Sequence, residues 1–170
     1  MRIKQPNSAN CFVCGLENRV GLKLIFHETG SNEVVTHYTA PAQYEGYPGV
    51  LHGGIIAAIL DEVGGRVVMI GDHTHFMMTA KMDVKYRLPT PVGRPLTVVG
   101  RLLKRRGRLA TAHAEIRLAD GRVTAEAEMT LADLPEDFQV DADLGALGWR
   151  IYADAELAAA AAGGRDQFHV

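Results

Sequence analysis

Residues 52–70 read HGGIIAAILDEVGGRVVMI. Ile55, Ile56, Ile59, Val63, Val67 and Ile70 recur at three- and four-residue steps, the period of one helix face. Most other positions are Ala or Gly, so the helix predicted over His52–Ile70 is apolar or small nearly all round. Such a helix is buried rather than laid on a surface. Two acids interrupt it. Glu62 stands four residues before Arg66 and is expected to pair with it on an exposed edge. Asp61 is the sharper case, because a carboxylate in the middle of an apolar helix is costly to bury without a partner or a function. At about 100° per residue the two acids point in different directions.

The flanking chain supplies a sheet. Leu22, Leu24 and Phe26 alternate with Lys23 and His27 as a strand, and Glu33 to Thr39 form a second after a Gly30-Ser31-Asn32 turn. Pro41 to Pro48 is a loop. From Phe76 to Ala132 the chain alternates with period two. Met78, Ala80, Met82, Val84, Tyr86 and Leu88 fall on one face, against Thr79, Lys81, Asp83, Lys85 and Arg87. Further on, Ala110, Ala112, Ala114 and Ile116 alternate with polar residues, and Asp120-Gly121 turns the chain into Val123, Ala125, Ala127 and Met129. One face is apolar and the other polar, as an antiparallel sheet with one solvated side requires. The predicted fold class is α+β, a curved antiparallel β-sheet wrapped around one long buried helix whose approach the small Ala residues permit.

With 170 residues, 47% apolar and 22% charged, the chain suits one globular domain. Eighteen basic against 20 acidic residues give a net charge of −2, so no global basic field points to nucleic acid or an anionic membrane. The longest apolar run, Ile55 to Leu60, is 6 residues, and no apolar run follows Met1-Arg2. A cytoplasmic protein with no nucleic-acid or membrane partner is expected. Three segments are distinguished: a turn-rich 1–19 carrying Cys11 and Cys14, the α+β domain over 20–134, and an extension over 135–170, helical over Tyr152–Ala162 and frayed over 165–170.

His52-Gly53-Gly54 opening the helix, Asp61 nine residues after the histidine, Met78-Thr79-Ala80 and Val84-Lys85-Tyr86-Arg87-Leu88-Pro89 together carry a resemblance. The chain resembles the hotdog-fold acyl-CoA thioesterases of the phenylacetate-pathway and thioesterase-superfamily-member type, over about residues 20–133. The resemblance implies hydrolysis of an acyl- or aryl-acyl-CoA without a further cofactor, with Asp61 as nucleophile or general base and Gly53 N–H as oxyanion donor. His52 would orient the turn or polarise the thioester carbonyl, and Thr79 would hold the attacking water or the carboxylate. Gly54 is expected against the substrate. The physical reading agrees, since a helix N-terminus presents unpaired N–H groups and glycine lets a carbonyl approach them. One departure is at position 46, where the family often carries an asparagine and this chain has Gly46, with Gln43 and Glu45 the polar side chains nearby.

Lys104, Arg105, Arg106 and Arg108 cluster on a hairpin, where Arg forks would suit CoA phosphates. Cys11 and Cys14 have the spacing of half a zinc site, but no second Cys pair exists, so an N-terminal turn and no metal are expected. His73 and His75 are expected in a loop. Nine residues from His52 to Asp61 mean about 13–14 Å of rise and about 180° of rotation, too far for one thioester carbon to meet both ends. A homodimer with antiparallel helices, or a pair of dimers, removes that conflict. The competing readings are a non-catalytic acyl-CoA binding or sensing protein on the same fold, and a hotdog dehydratase, which would want a His base with an acidic partner.

Overall fold

The computed structural model describes residues 2–135 and 144–163. Its strands are β1 (Ile3–Lys4), β2 (His27–Glu28), β3 (Glu33–Thr39), β4 (Glu45–Tyr47), β5 (Val50–Leu51), β6 (Met77–Tyr86), β7 (Pro95–Arg106), β8 (Leu109–Arg117) and β9 (Val123–Asp133). Helix α1 spans Gly53–Arg66 and α2 spans Asp154–Gly163. Seven strands form one antiparallel sheet in the order β1-β2-β3-β7-β8-β9-β6, while β4 and β5 make a separate small hairpin.

The α1 helix lies on one face of the large sheet, and the reason is legible in side-chain size. Ile56, Ile59, Leu60 and Val63 are buried against Ala110, Ala112, Ala114, Ala125 and Ala127. Two glycines set the depth of contact. A Cβ on Gly100 of β7 would stand 2.4 Å from the Val63 carbonyl oxygen, and one on Gly64 would stand 2.2 Å from the Met129 sulfur. Helix and sheet therefore meet closer than any larger residue would allow. The helix ends at Arg66 rather than Ile70, and Val67–Met69 tighten into a 3-10 turn.

Three expectations are corrected. No strand runs over Leu22–Phe26, because Lys23 has a left-handed φ of 57° and the Leu22 and Leu24 N–H groups donate to Phe12 and Val13. Only His27–Glu28 joins the sheet. Second, β6 does not alternate uniformly: Thr79 opposes Leu131 and Lys81 opposes Thr130, so Ala80 is an extra residue, a β-bulge. The bulge inverts the parity before it, sending Met78 outward and exposed and turning Thr79 to the face of the fully buried Leu131. Third, the Glu62–Arg66 pair forms, but not on an exposed edge. Arg66 is 1% exposed; its Nε and Nη2 donate to Glu62 Oε1 at 3.0 and 2.9 Å, and its Nη1 donates to the Pro6 carbonyl at 2.6 Å. Its guanidinium also stacks over Phe26 and Trp149, at 4.5 and 4.9 Å.

Residues 2–19 are thus part of the packing around the end of α1. Asn7 is buried and donates from its amide to the Cys14 and Leu24 carbonyls, and its backbone pairs with Arg150. The helix expected over Tyr152–Ala162 begins two residues later, at Asp154. The fraying expected over 165–170 lies outside the described residues.

Candidate active site

The start of α1 is organised by His52. It is the N-cap residue, and its Nδ1 accepts the Gly54 N–H at 2.9 Å. An accepting Nδ1 in a neutral imidazole leaves the ring proton on Nε2, which turns that edge into a donor. The His52 N–H donates to the Tyr44 carbonyl at 2.9 Å, while its own carbonyl receives the Ile55 and Ile56 N–H groups. Gly54 N–H is therefore committed to the histidine and is not open to a ligand. Gly53 N–H makes no hydrogen bond among the described residues, and it is the free donor at the positive end of the helix.

That donor opens on a groove of about 520 Å³ lined by Tyr47, Leu51, Gly53, Ile56, Tyr86 and Leu88, among others. The Tyr86 hydroxyl donates to the Gly53 carbonyl at 2.9 Å and pins the first turn from the opposite side. Tyr47 and Tyr86 are largely exposed aromatics at the rim. Neither was singled out as a site residue by sequence reasoning. The available signal for Tyr86 was its place inside the quoted Val84–Pro89 stretch.

Position 46 now has a physical explanation. A Cβ on Gly46 would stand 3.2 Å from His52 Cα and Cδ2, so the β4–β5 hairpin packs its backbone on the histidine. Glu45 does not substitute for the missing amide, because its Oε1 accepts the Gly49 N–H at 3.0 Å.

Asp61 is half-buried and makes no hydrogen bond or ion pair with any described residue; Arg66 goes to Glu62 instead. It lies on the same stripe as Gly54, Ala57, Ala58 and Gly65, none of them buried, in contrast to the core stripe of Ile56, Ile59 and Val63. Eight residues of regular helix separate it from Gly53, about 12 Å of rise. The structure does not bring Gly53 and Asp61 together within one chain. Thr79 is turned by the bulge to the helix side of the sheet, half-buried.

The basic hairpin stands elsewhere. Asp133 N–H donates to the Arg108 carbonyl, and Asp133 pairs with Met77, the first residue of β6, whereas Tyr86, the last, reaches Gly53. Ten strand residues at about 3.3 Å each place Lys104, Arg105, Arg106 and Arg108 about 30 Å from the helix start of the same chain. His73 and His75 are loop residues, His73 Nε2 at 2.8 Å from Glu28 and His75 Nε2 at 2.9 Å from Arg105.

At the far end of α1, Cys11 and Cys14 face Glu62. The Cys14 thiol donates to Cys11 and pulls the Cys11 thiol down to about 7, while the same bond and burial push the Cys14 thiol up.

The thioesterase superfamily model matches residues 48–125, which run from the loop before His52 to the start of β9. The rat acyl-coenzyme A thioesterase THEM4 is 28% identical over 118 residues, covering 69% of this chain. This chain spans half the length of that relative. Among solved structures, a thioesterase superfamily protein superposes with a TM-score of 0.67 at 34% identity, over 72% of this chain and 60% of that one. A Streptococcus mutans protein solved bound to acetyl-CoA superposes with a TM-score of 0.59 at 17% identity, over 65% of this chain and 88% of that one, a likeness of fold. The single helix on an antiparallel sheet, opening with His52-Gly53-Gly54, agrees with all of them: over residues 48–125 the chain matches the thioesterase superfamily, and its fold is that superfamily's hotdog fold.

Proposed function

We propose that the chain hydrolyses the thioester of an acyl- or aryl-acyl-CoA at sites shared between two copies. The observation that carries the reading is the division of labour at the helix start. His52 takes the Gly54 N–H and leaves Gly53 N–H free on an apolar groove. A thioester carbonyl seated there directs its developing oxyanion at that N–H and at the helix dipole. His52 Nε2–H stands on the exposed side of the same turn as a second donor.

The carboxylate comes from the other copy. β6 is the last strand of the sheet and offers a ten-residue free edge, with Met78 and Tyr86 each about half exposed. Two such edges paired antiparallel about a two-fold axis run the helices antiparallel, so each Gly53 faces the middle of the opposite helix. Asp61 of the partner subunit then attacks the carbonyl carbon, or draws a proton from water that does so. With water as nucleophile, the new C–O bond forms as the C–S bond breaks, and Asp61 returns the abstracted proton to the leaving CoA thiolate. With Asp61 as nucleophile, an acyl–Asp61 anhydride forms as the thiolate leaves. Water then cleaves it, releasing the acid, restoring the carboxylate and supplying the proton that the thiolate takes up. Thr79 orients the water or the carboxylate. The same pairing carries the partner's basic hairpin to the Tyr86 end, where Lys104, Arg105, Arg106 and Arg108 meet CoA phosphates. CoA is part of the substrate and the reaction uses no further cofactor. No helix among the described residues is long and apolar enough to cross a membrane. A cytoplasmic location belongs to the proposal and rests on composition.

Complementation tests the shared site. Chains carrying Asp61→Asn are mixed with chains carrying Gly53→Trp under conditions of subunit exchange. Random exchange puts half the chains in mixed dimers with one intact site each, so about a quarter of wild-type activity returns. Exchange confirmed by mass with no return of activity refutes it. Tight acyl-CoA binding by the wild type without thiol release returns the chain to a sensing role.

A further inference from the structure

We propose that Cys11, Cys14 and Glu62 form a binding site for a thiophilic divalent cation, zinc above all, that ties the N-terminal segment to the middle of α1. The three ligand atoms lie within 4.8 Å of one another, and they form the one such group of three among the described residues. They come from two separate parts of the chain, a Cys-x-x-Cys turn and a helix.

The distances fit the ion. Tetrahedral zinc, with Zn–S of about 2.3 Å and Zn–O of about 2.0–2.2 Å, separates neighbouring ligand atoms by about 3.5–3.8 Å. Cys11 Sγ stands 3.7 Å from Glu62 Oε2.

Each ligand is also held by a neighbour. The Val13 and Cys14 N–H groups donate to Cys11 Sγ at 3.3 and 3.4 Å, which sets that sulfur as an acceptor. Gly15 makes this turn possible: its N–H donates to the Cys11 carbonyl at 2.8 Å, and a Cβ there would stand 2.3 Å from that oxygen. Arg66 takes Glu62 by Oε1 alone, through Nε and Nη2, and leaves Oε2 aimed at the sulfurs. The Cys11 thiol donates to Glu62 Oε2, so a proton already bridges the sulfur and the carboxylate, in the place where a cation would stand once that proton is released. The Arg66 guanidinium stays on the Oε1 side, and its third nitrogen, Nη1, donates to the Pro6 carbonyl.

Charge closes as well. Two thiolates and one carboxylate balance Zn2+ and the Arg66 cation, so the buried group is neutral once the thiol protons are released. Cys11, Cys14 and Glu62 themselves line a cavity of about 400 Å³ whose other walls include Met69, Phe76 and Trp149, which leaves room for a water as the fourth ligand. Glu62 follows Asp61 on α1 but points about 100° round the helix from it, toward the N-terminal segment, so the site is a structural centre beside the proposed carboxylate and not part of the thioester chemistry.

The test uses the full chain. Purified without chelator from zinc-supplemented medium, the protein is expected to hold about one zinc per chain by elemental analysis. Stripped and titrated anaerobically with Co2+, it should develop thiolate-to-cobalt charge-transfer absorption saturating at about one equivalent. Cys11→Ser and Cys14→Ser should each lose that absorption while far-ultraviolet circular dichroism stays native. Glu62→Gln should weaken cobalt binding by at least about tenfold. Folded wild-type protein that takes up less than about a tenth of an equivalent of either metal, with both thiols free to titrate, overturns the site. So does charge-transfer absorption that survives in both serine variants.

Discussion

Replacing His52 separates the cap seen in the structure from the donor role proposed for the same ring. As N-cap its Nδ1 satisfies Gly54 N–H at 2.9 Å, and in the proposed reaction its Nε2–H is a second oxyanion donor. His52→Ala removes both. Loss of a cap costs about 1 kcal/mol, within a range of about 0.5–2. In a domain of this size that corresponds to a fall in Tm of about 2–4 °C for each kcal/mol. If the Nε2–H also stabilises the oxyanion, kcat falls by about 10²–10³-fold, the usual effect of deleting one such donor. His52→Asn keeps the cap, because asparagine is among the best N-cap residues, but its short amide does not reach where Nε2 stands. Thermal melting and steady-state kinetics on both variants therefore give a crossed result. The alanine variant loses stability and rate, and the asparagine variant loses rate alone. Wild-type turnover in His52→Asn refutes the donor role and leaves the histidine a cap. A melting loss in His52→Asn equal to that of His52→Ala refutes the cap.

Gly100→Ala places a Cβ 2.4 Å from a backbone oxygen of α1, which no side-chain rotation relieves; urea unfolding should show a loss of about 1–3 kcal/mol with the m-value unchanged. Reversing the charge of Arg105 and Arg106 should raise KM for CoA thioesters by about tenfold, the factor set by 1.4 kcal/mol, and leave KM nearly unchanged for a truncated thioester lacking the nucleotide. Equal effects on both substrates return the hairpin to solvated surface.

The helix and the last three strands were readable because burial imposes a period that composition records. Ile56, Ile59 and Val63 on one side, and Ala110 to Ile116 and Ala125 to Met129 on the other, stand where alternation put them. Thr79 was not readable. A strand pattern contains only parity, and one extra residue at Ala80 inverts it with no change in the residue types on either side. The N-terminal packing was hidden for another reason. Its hydrogen bonds run from side chains, the Asn7 amide and the Arg66 guanidinium, to carbonyls 7 to 60 residues away, and no local period encodes such contacts. The Glu62–Arg66 pair illustrates the limit: spacing finds the partners but not the depth, because Phe26 and Trp149, which bury the guanidinium, lie far along the chain.

Asp61 was legible for the opposite reason, since its oddity is local. An acid among Ala, Gly and Ile on a buried helix has to be explained at its own position, and the structure narrows the explanation. Arg66, the basic residue one turn away, is spent on Glu62, and Asp61 is left half-buried on a stripe of glycine and alanine that this chain's own sheet does not cover. A stripe that small admits a second helix at close range, and a carboxylate on it meets whatever that helix presents. Run antiparallel, the second helix presents its N-terminal N–H groups. In the proposed dimer the small residues around Asp61 and the free N–H of Gly53 are two halves of one requirement: one lets the helices approach, and the other holds the thioester carbonyl within reach of the carboxylate or of the water it activates.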